Sequence, residues 1–181
     1  MRTKVHVYRH VYQSPVGDLR LAVDKIGRVL SISLGDWPTW GSDFDVEENK
    51  YACGELEYQL DEYFAGQRQL FSVGLRLDGT AFQRTVWSRL LKIDYGTTTT
   101  YGEIARKIGN RDAARAVGNA VACNPIPVLI PCHRVLPASG KIGNYALRTV
   151  ADGRGTDTKR CLLELEGALT QRTLTFSRKS A

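Results

Sequence analysis

The stretch Thr100-Tyr101-Gly102-Glu103-Ile104-Ala105-Arg106-Lys107-Ile108-Gly109-Asn110-Arg111-Asp112-Ala113-Ala114-Arg115-Ala116-Val117-Gly118-Asn119-Ala120-Val121-Ala122-Cys123 decides the architecture of this chain. It opens in capping-box form, with the Thr100 hydroxyl placed to accept from the third helical amide and Glu103 placed to reach back. The first helix is predicted to run to about Ile108 and end at Gly109. Asn110 is placed to cap a second helix, Arg111 to about Cys123, which Pro125 stops. Two short helices joined by a tight Gly-Asn turn make a helix-turn-helix. In the second helix Ala113, Ala116, Val117 and Ala120 are the expected apolar face. Arg111, Arg115 and Asn119 lie four apart and share another face, flanked by Ala114, Gly118 and Ala122. Small residues around an arginine let such a helix come close to another backbone, nucleic acid among the candidates. A tightly packed interior helix with one solvated arginine is the competing reading of the same spacing.

Upstream, Val5–Tyr8, Leu19–Val23 and Val29–Leu34 alternate and are rich in β-branched residues, with turns at Ser14-Pro15-Val16-Gly17 and around Gly27. They predict an antiparallel sheet. Residues 36–46 read as a loop. Residues 47–65 read as a helix through Tyr51, Leu56, Leu60, Tyr63 and Phe64, stopped by Gly66, and a further strand is expected near Phe71–Leu77. Beyond the turn Asp78-Gly79-Thr80, Phe82, Val86, Leu90 and Ile93 recur at helical spacing. That turn is the expected boundary between a domain of residues 1–78 and one of residues 79–181. The charge reverses there: residues 1–80 hold 9 Lys/Arg against 12 Asp/Glu, and residues 81–181 hold 16 against 7, within a net charge of +6. A basic second half suggests a polyanion partner, although a solvated basic surface would carry the same composition.

Downstream lies Asn124-Pro125-Ile126-Pro127-Val128-Leu129-Ile130-Pro131-Cys132-His133-Arg134-Val135. A nucleophilic thiol needs a route for its proton, a rigid position and an acceptor. His133 is adjacent and can take the proton, directly or through a water. Glu166, before the stopping Gly167, can orient the imidazole, and Asn124 can hold the backbone of the cysteine loop. Cys-His adjacency alone is weak evidence, and a hydrogen-bonded core histidine fits it as well. The four cysteines, Cys53, Cys123, Cys132 and Cys161, show neither framework nor metal-ligand spacing, which suits reduced thiols in the cytoplasm, or in the nucleus of a eukaryote. Charged and polar residues follow Met1–His6, so no signal peptide is expected, and no apolar run approaches a membrane span.

The chain resembles the O6-alkylguanine-DNA alkyltransferases, or methylated-DNA–protein-cysteine methyltransferases. The resemblance rests on Asn124-Pro125 with Pro131-Cys132-His133-Arg134-Val135, and on further blocks in order. These are Ser14–Leu19, Tyr63–Gly66, Gly79–Gln83, Val86-Trp87, Tyr95-Gly96, Thr100–Ala105, Ala113–Gly118 and Leu162–Gly167. It implies an α+β protein: a small N-terminal ribonuclease-H-like sheet and helix domain, then a helical C-terminal domain with a winged-helix-like helix-turn-helix. It implies a monomer that needs no cofactor and acts on double-stranded DNA containing O6-alkylguanine; some members hold a structural zinc, but only His6 and His10 lie near the N-terminus here, with no paired cysteines, so no metal is expected. Cys132 would accept the alkyl group from O6 of guanine, or less readily from O4 of thymine, once per molecule. His133, through a water, and Glu166 would relay the proton, and Asn124 would support the loop. The resemblance makes Tyr101 the tyrosine that bonds the purine, and Arg115 the arginine that replaces an extruded base, with Ala114, Gly118 and Asn119 beside it in the minor groove. It makes Val135 and Tyr145 pocket residues and Lys159 a supporting lysine.

The chain departs from the family pattern after Tyr145, where about seven extra residues precede Lys159 and Leu147-Arg148 replace small residues. Arg148 and Arg154 are candidates for added phosphate contacts or for gating the pocket, and a passive surface insertion is the alternative. His6 and His10 are expected at the surface, and Cys53, Cys123 and Cys161 outside the chemistry. The tail from Thr170 is expected to be loosely ordered. A module that recognises damage without repairing it would lack the cysteine, and a thiol hydrolase would leave the helix-turn-helix without a use.

Overall fold

A computed structural model describes residues 4–143, 145 and 155–169. The chain forms two compact units, residues 1–79 with Pro125–Pro127, and residues 80–124 with 128–181.

The first unit is built on a four-stranded sheet of order β3-β2-β1-β4, from β1 (Val5–Ser14), β2 (Gly17–Asp24), β3 (Val29–Ser33) and β4 (Phe44–Glu48). β1 and β2 form a hairpin whose turn is closed by the Ser14 hydroxyl donating to the Gly17 carbonyl at 2.6 Å. The expected antiparallel pairing holds for β1–β2 and β2–β3, but β4 runs parallel to β1. Residues 44–48 therefore leave the predicted loop and helix and become a strand. Phe44 and Val46 alternate with acidic residues and, with Val5 and Trp40, pack against Val7, Ala22 and Leu30. The helix accordingly starts later, with a 3₁₀ turn at Tyr51–Cys53 followed by α1 (Gly54–Phe64). Leu56, Leu60 and Tyr63 are buried, and the Tyr12 hydroxyl of β1 donates to Asp61 at 2.7 Å. The strand expected near residues 71–77 shrinks to one bridge, Val29 with Leu75. There the buried Gln59 amide takes the place of a ladder, accepting from the Ser72 amide at 2.8 Å and donating to its hydroxyl at 2.8 Å.

The second unit contains α2 (Ala81–Leu90), β5 (Thr99–Thr100), α3 (Tyr101–Lys107), α4 (Ala114–Ala122), β6 (Val135–Leu136) and α5 (Gly155–Leu165). Both α2 and α3 start in capping boxes, Thr80 with Gln83 and Thr100 with Glu103. Trp87 of α2 is buried and donates its indole N–H to the Ala120 carbonyl of α4 at 2.9 Å. The predicted second helix is corrected at its start: residues Arg111–Ala113 form a 3₁₀ turn, and the Asn110 side chain makes no capping bond. Its apolar face is corrected too. Ala113, Val117, Ala120 and Val121 are buried, whereas Ala116 is exposed beside Arg115 and Asn119. The parallel pair β5–β6 puts Thr99 opposite Val135, which joins the start of α3 to the end of the cysteine segment. Among the described residues no helix is long and apolar enough to cross a membrane.

Candidate active site

Cys132 opens a 3₁₀ turn, Cys132–Arg134, and is 3% exposed. Asn124, just past the end of α4, donates its side-chain amide to the Ile130 carbonyl at 2.8 Å and to Cys132 Sγ at 2.9 Å. One amide thus holds both the loop and the sulfur. The Tyr145 hydroxyl also hydrogen-bonds the sulfur and accepts from the Val128 amide at 3.1 Å. Val128 has φ +75°, a left-handed conformation that is strained for a β-branched residue. The strain aims its N–H at Tyr145. Gly155 packs against the Tyr145 backbone so closely that a Cβ there would lie 2.6 Å from the Tyr145 carbonyl oxygen.

Glu166 is buried and gathers the next layer. It accepts from His133 Nε2 at 2.7 Å, and Arg134 donates to both of its oxygens, Nε to Oε2 at 2.8 Å and a terminal nitrogen to Oε1 at 3.0 Å. Arg134 also donates to the Ile93 carbonyl, and its guanidinium lies 5.7 Å from the Tyr95 ring centre. Gly96, at φ +71°, seats the Glu166 backbone, since a Cβ there would meet the Glu166 carbonyl oxygen at 2.9 Å. A carboxylate against Nε2 favours the tautomer with the proton on that nitrogen, which leaves Nδ1 as the basic one. Nδ1 is buried and has no hydrogen-bond partner among the described residues.

Burial pushes the Cys132 thiol up, outweighing Asn124, the Lys159 charge and Tyr145, which all favour the thiolate. Burial likewise pushes His133 down, against the pull of Glu166. Burial therefore favours a neutral thiol at Cys132 and a neutral imidazole at His133. Lys159 is buried, donates to the Val135 carbonyl at 2.7 Å, and is lowered by burial to about 8. Its charge and that of a Cys132 thiolate favour each other.

The structure brings together Cys132, Asn124, Tyr145 and Lys159 around the sulfur, with His133 and Glu166 joined behind. Val135 is buried, and its carbonyl anchors Lys159. Tyr101 is half-buried at the start of α3, its ring against Gly118, where a Cβ would lie 3.8 Å away. Burial and the Cys132 charge raise its hydroxyl, keeping it a donor. Arg115 and Asn119 are exposed on α4, with Ala114 and Gly118 half-buried between them, and Arg115 is not one of the side chains gathered at the sulfur. Ala146, Leu147, Arg148, Arg154 and the tail from Thr170 lie outside the described residues. Cys53 is buried and pushed up to about 12, first by burial and then by Glu57 and Glu48. His6 is exposed beside Asp45, whereas His10, expected at the surface, is half-buried beside Glu57. Sequence reasoning missed Arg134, although it directly follows Cys132-His133 and a buried carboxylate beside a neutral imidazole needs a cation.

Known proteins share this arrangement of domains. The family described as 6-O-methylguanine DNA methyltransferase matches twice, its ribonuclease-like domain over residues 7–78 and its DNA-binding domain over residues 81–168. A methylated-DNA–protein-cysteine methyltransferase of Methanosarcina acetivorans is 42% identical over 163 residues, covering 90% of this chain and 99% of that protein. One from Mycobacterium bovis is 51% identical over 118 residues, 65% of this chain and 67% of that protein. The crystal structure of Mycobacterium tuberculosis O6-methylguanine methyltransferase superposes with TM-score 0.76 at 39% identity, covering 94% of this chain and 99% of that one. A Mycobacterium tuberculosis structure in complex with DNA gives TM-score 0.76 at 40% identity, with 88% and 92% covered.

Proposed function

This chain belongs to the 6-O-methylguanine-DNA methyltransferase family, and from that premise we propose that it repairs duplex DNA by moving alkyl groups from O6 of guanine irreversibly onto Cys132. Its activity is that of a methylated-DNA–protein-cysteine methyltransferase, acting in DNA repair by alkyl transfer. The observation that carries the assignment of Cys132 is the Asn124 donor on its sulfur, in the same closed site as His133 and Glu166.

The thiol proton passes through a water to His133 Nδ1, left without a hydrogen-bond partner among the described residues, as the sulfur attacks the alkyl carbon. The S–C bond forms, the C–O6 bond breaks, and the electron pair stays on the purine oxygen. The purine takes up one proton from solvent and His133 returns one to solvent, so thiol and alkylguanine become thioether and guanine. Asn124, Tyr145 and Lys159 stabilise the charge on sulfur, Glu166 stabilises the imidazolium, and Arg134 keeps Glu166 in place. Tyr101 donates to the leaving purine. The thioether has no route back, so each molecule acts once. O4-alkylthymine reacts more slowly in the same pocket.

A base inside a duplex must leave the stack before a buried thiol can reach it. The α4 face supports docking in the minor groove: Arg115 stands exposed among Ala114, Ala116 and Gly118, and can fill the gap left by the extruded nucleotide. The test is intact-mass spectrometry after incubation with a duplex holding one O6-methylguanine. One methyl per molecule, absent in Cys132→Ala, is expected, and DNA binding with no mass gain would overturn transfer. Arg115→Ala should slow transfer from duplex far more than transfer from a free O6-alkylguanine base. Equal slowing on both would remove Arg115 from base extrusion.

A further inference from the structure

A groove of about 730 Å3 opens in the second unit between the end of α2, the turn after it and α3. Arg89, Lys92, Arg106 and Lys107 line it, and all four are exposed. Among the described residues, Arg89, Lys92 and Lys107 have no ion-pair partner, and Arg106 has only Glu103 at 4.0 Å. The Glu103 carboxylate is already engaged, accepting from the Thr99 hydroxyl at 2.7 Å and the Thr100 amide at 2.8 Å. Asp94 is the other acid of the lining. Four cations facing one groove repel each other, and an anion between them removes that repulsion.

Helical spacing places this lining on the far side of α3 from α4. Tyr101 lies against Gly118 of α4, whereas Glu103, Arg106 and Lys107 fall on the opposite flank. No aromatic ring lines the groove, so a nucleobase would find nothing to stack on. The chemistry therefore suits phosphates without base contacts. In a helix-turn-helix the first helix crosses the DNA backbone while the second enters the groove of the duplex. Here α3 is that first helix and carries two of the four cations, Arg106 and Lys107, on its outer flank, while Arg89 and Lys92 come from α2 and the turn after it.

We propose that this groove is a second backbone-phosphate site, holding DNA outside the footprint of α4. The proposal rests on the reading of the protein as DNA-binding, yet its test is separate from alkyl transfer. In the wild-type protein, acetylation of Lys92 and Lys107 is followed by peptide mass spectrometry, with and without an unmodified duplex longer than the α4 footprint. Protection of both lysines by the long duplex, and not by one trimmed to that footprint, is expected. Equal reactivity with and without the long duplex overturns the proposal. Protection by inorganic tripolyphosphate but not by duplex overturns it in favour of a small phosphate ligand.

The second measurement uses the variant R89Q/K92Q/R106Q/K107Q. Its slope of log affinity against log salt should flatten by about 0.9 for each phosphate that the groove no longer neutralises. Its single-turnover methyl transfer at saturating DNA should match wild type. An unchanged slope overturns the proposal. If the variant does not fold, the footprint on the wild-type protein decides alone. If wild-type protein transfers no methyl group, the alkyl-transfer reading fails while the lysine footprint still reports on the groove.

Discussion

Asn124 spends its two amide hydrogens on two different problems, fixing the Ile130 carbonyl and facing the Cys132 sulfur. Asn124→Ala should lower the single-turnover transfer rate by about 10²–10³, the effect of removing one preorganised donor from developing charge. It should also cost about 1–3 kcal/mol of stability, because the buried Ile130 carbonyl loses its donor. Rapid-quench assays and denaturant unfolding measure the two effects. Arg134→Ala leaves Glu166 buried and charged without its guanidinium, which should cost about 3–5 kcal/mol in an unfolding measurement. Arg134→Lys keeps the charge but not the two-pronged contact, and should recover only part of the loss. The pH profile of transfer should have two limbs. His133, lowered from its usual 6.5 by burial, must be neutral to accept a proton, so the rate falls on the acid side below that value. Lys159 must be charged to favour the thiolate, so the rate falls again as pH rises through about 8, and Lys159→Met should abolish this second limb. The unfolded chain binds a proton at histidine more readily than the folded one. Stability therefore declines as pH drops through 6.5, the unfolded value, toward the lower folded one.

Two threonines begin two helices with the same reciprocal bonds, yet they report on different properties. Thr80→Ala should cost about 1 kcal/mol of stability and leave transfer intact, because α2 carries no group of the site. Thr100→Ala should cost a similar ~1 kcal/mol and also slow transfer, because α3 begins with Tyr101. Denaturation midpoints and single-turnover rates together separate the two cases. The Thr100 box was legible in sequence because a cap is a matter of four consecutive residues. The Thr80 box carries the same local signature with Gln83 in place of a glutamate, yet sequence reasoning read Asp78-Gly79-Thr80 only as a turn and missed the cap. β4 was not legible, because Phe44 and Val46 make a very short alternation and its partner β1 lies about forty residues away in the chain. The site divides in the same way. Cys132, His133 and Asn124 announce themselves within one stretch, and Glu166 came from a stopping glycine. The role of Arg134 needs a partner 32 residues distant, and the neutral resting state of the thiol needs burial that no spacing reveals.

For the molecule as a whole, the proposed reaction would change the site it uses. A methyl group on Cys132 would enter a space where the residue is only 3% exposed, and would displace donors aimed at the sulfur. Overpacking of this kind costs about 1–3 kcal/mol, which in a protein of this size lowers the melting temperature by roughly 2–4 °C per kcal/mol. Calorimetry of the protein before and after a full single turnover should show that drop, and an unchanged melting temperature would mean that the site relaxes around the product. The close packing of Gly155 on the Tyr145 backbone has another consequence. Tyr145 and Gly155, the described residues on either side of positions 146–154, therefore lie side by side. For a flexible segment whose ends are held together, doubling its length adds only about 0.6 kcal/mol. The pair is thus a splice point next to the residue that bonds the Cys132 sulfur: cassettes of different length and charge between positions 145 and 155 should leave Tyr145 in place, and a thermal-melting and transfer-rate series over such cassettes checks it.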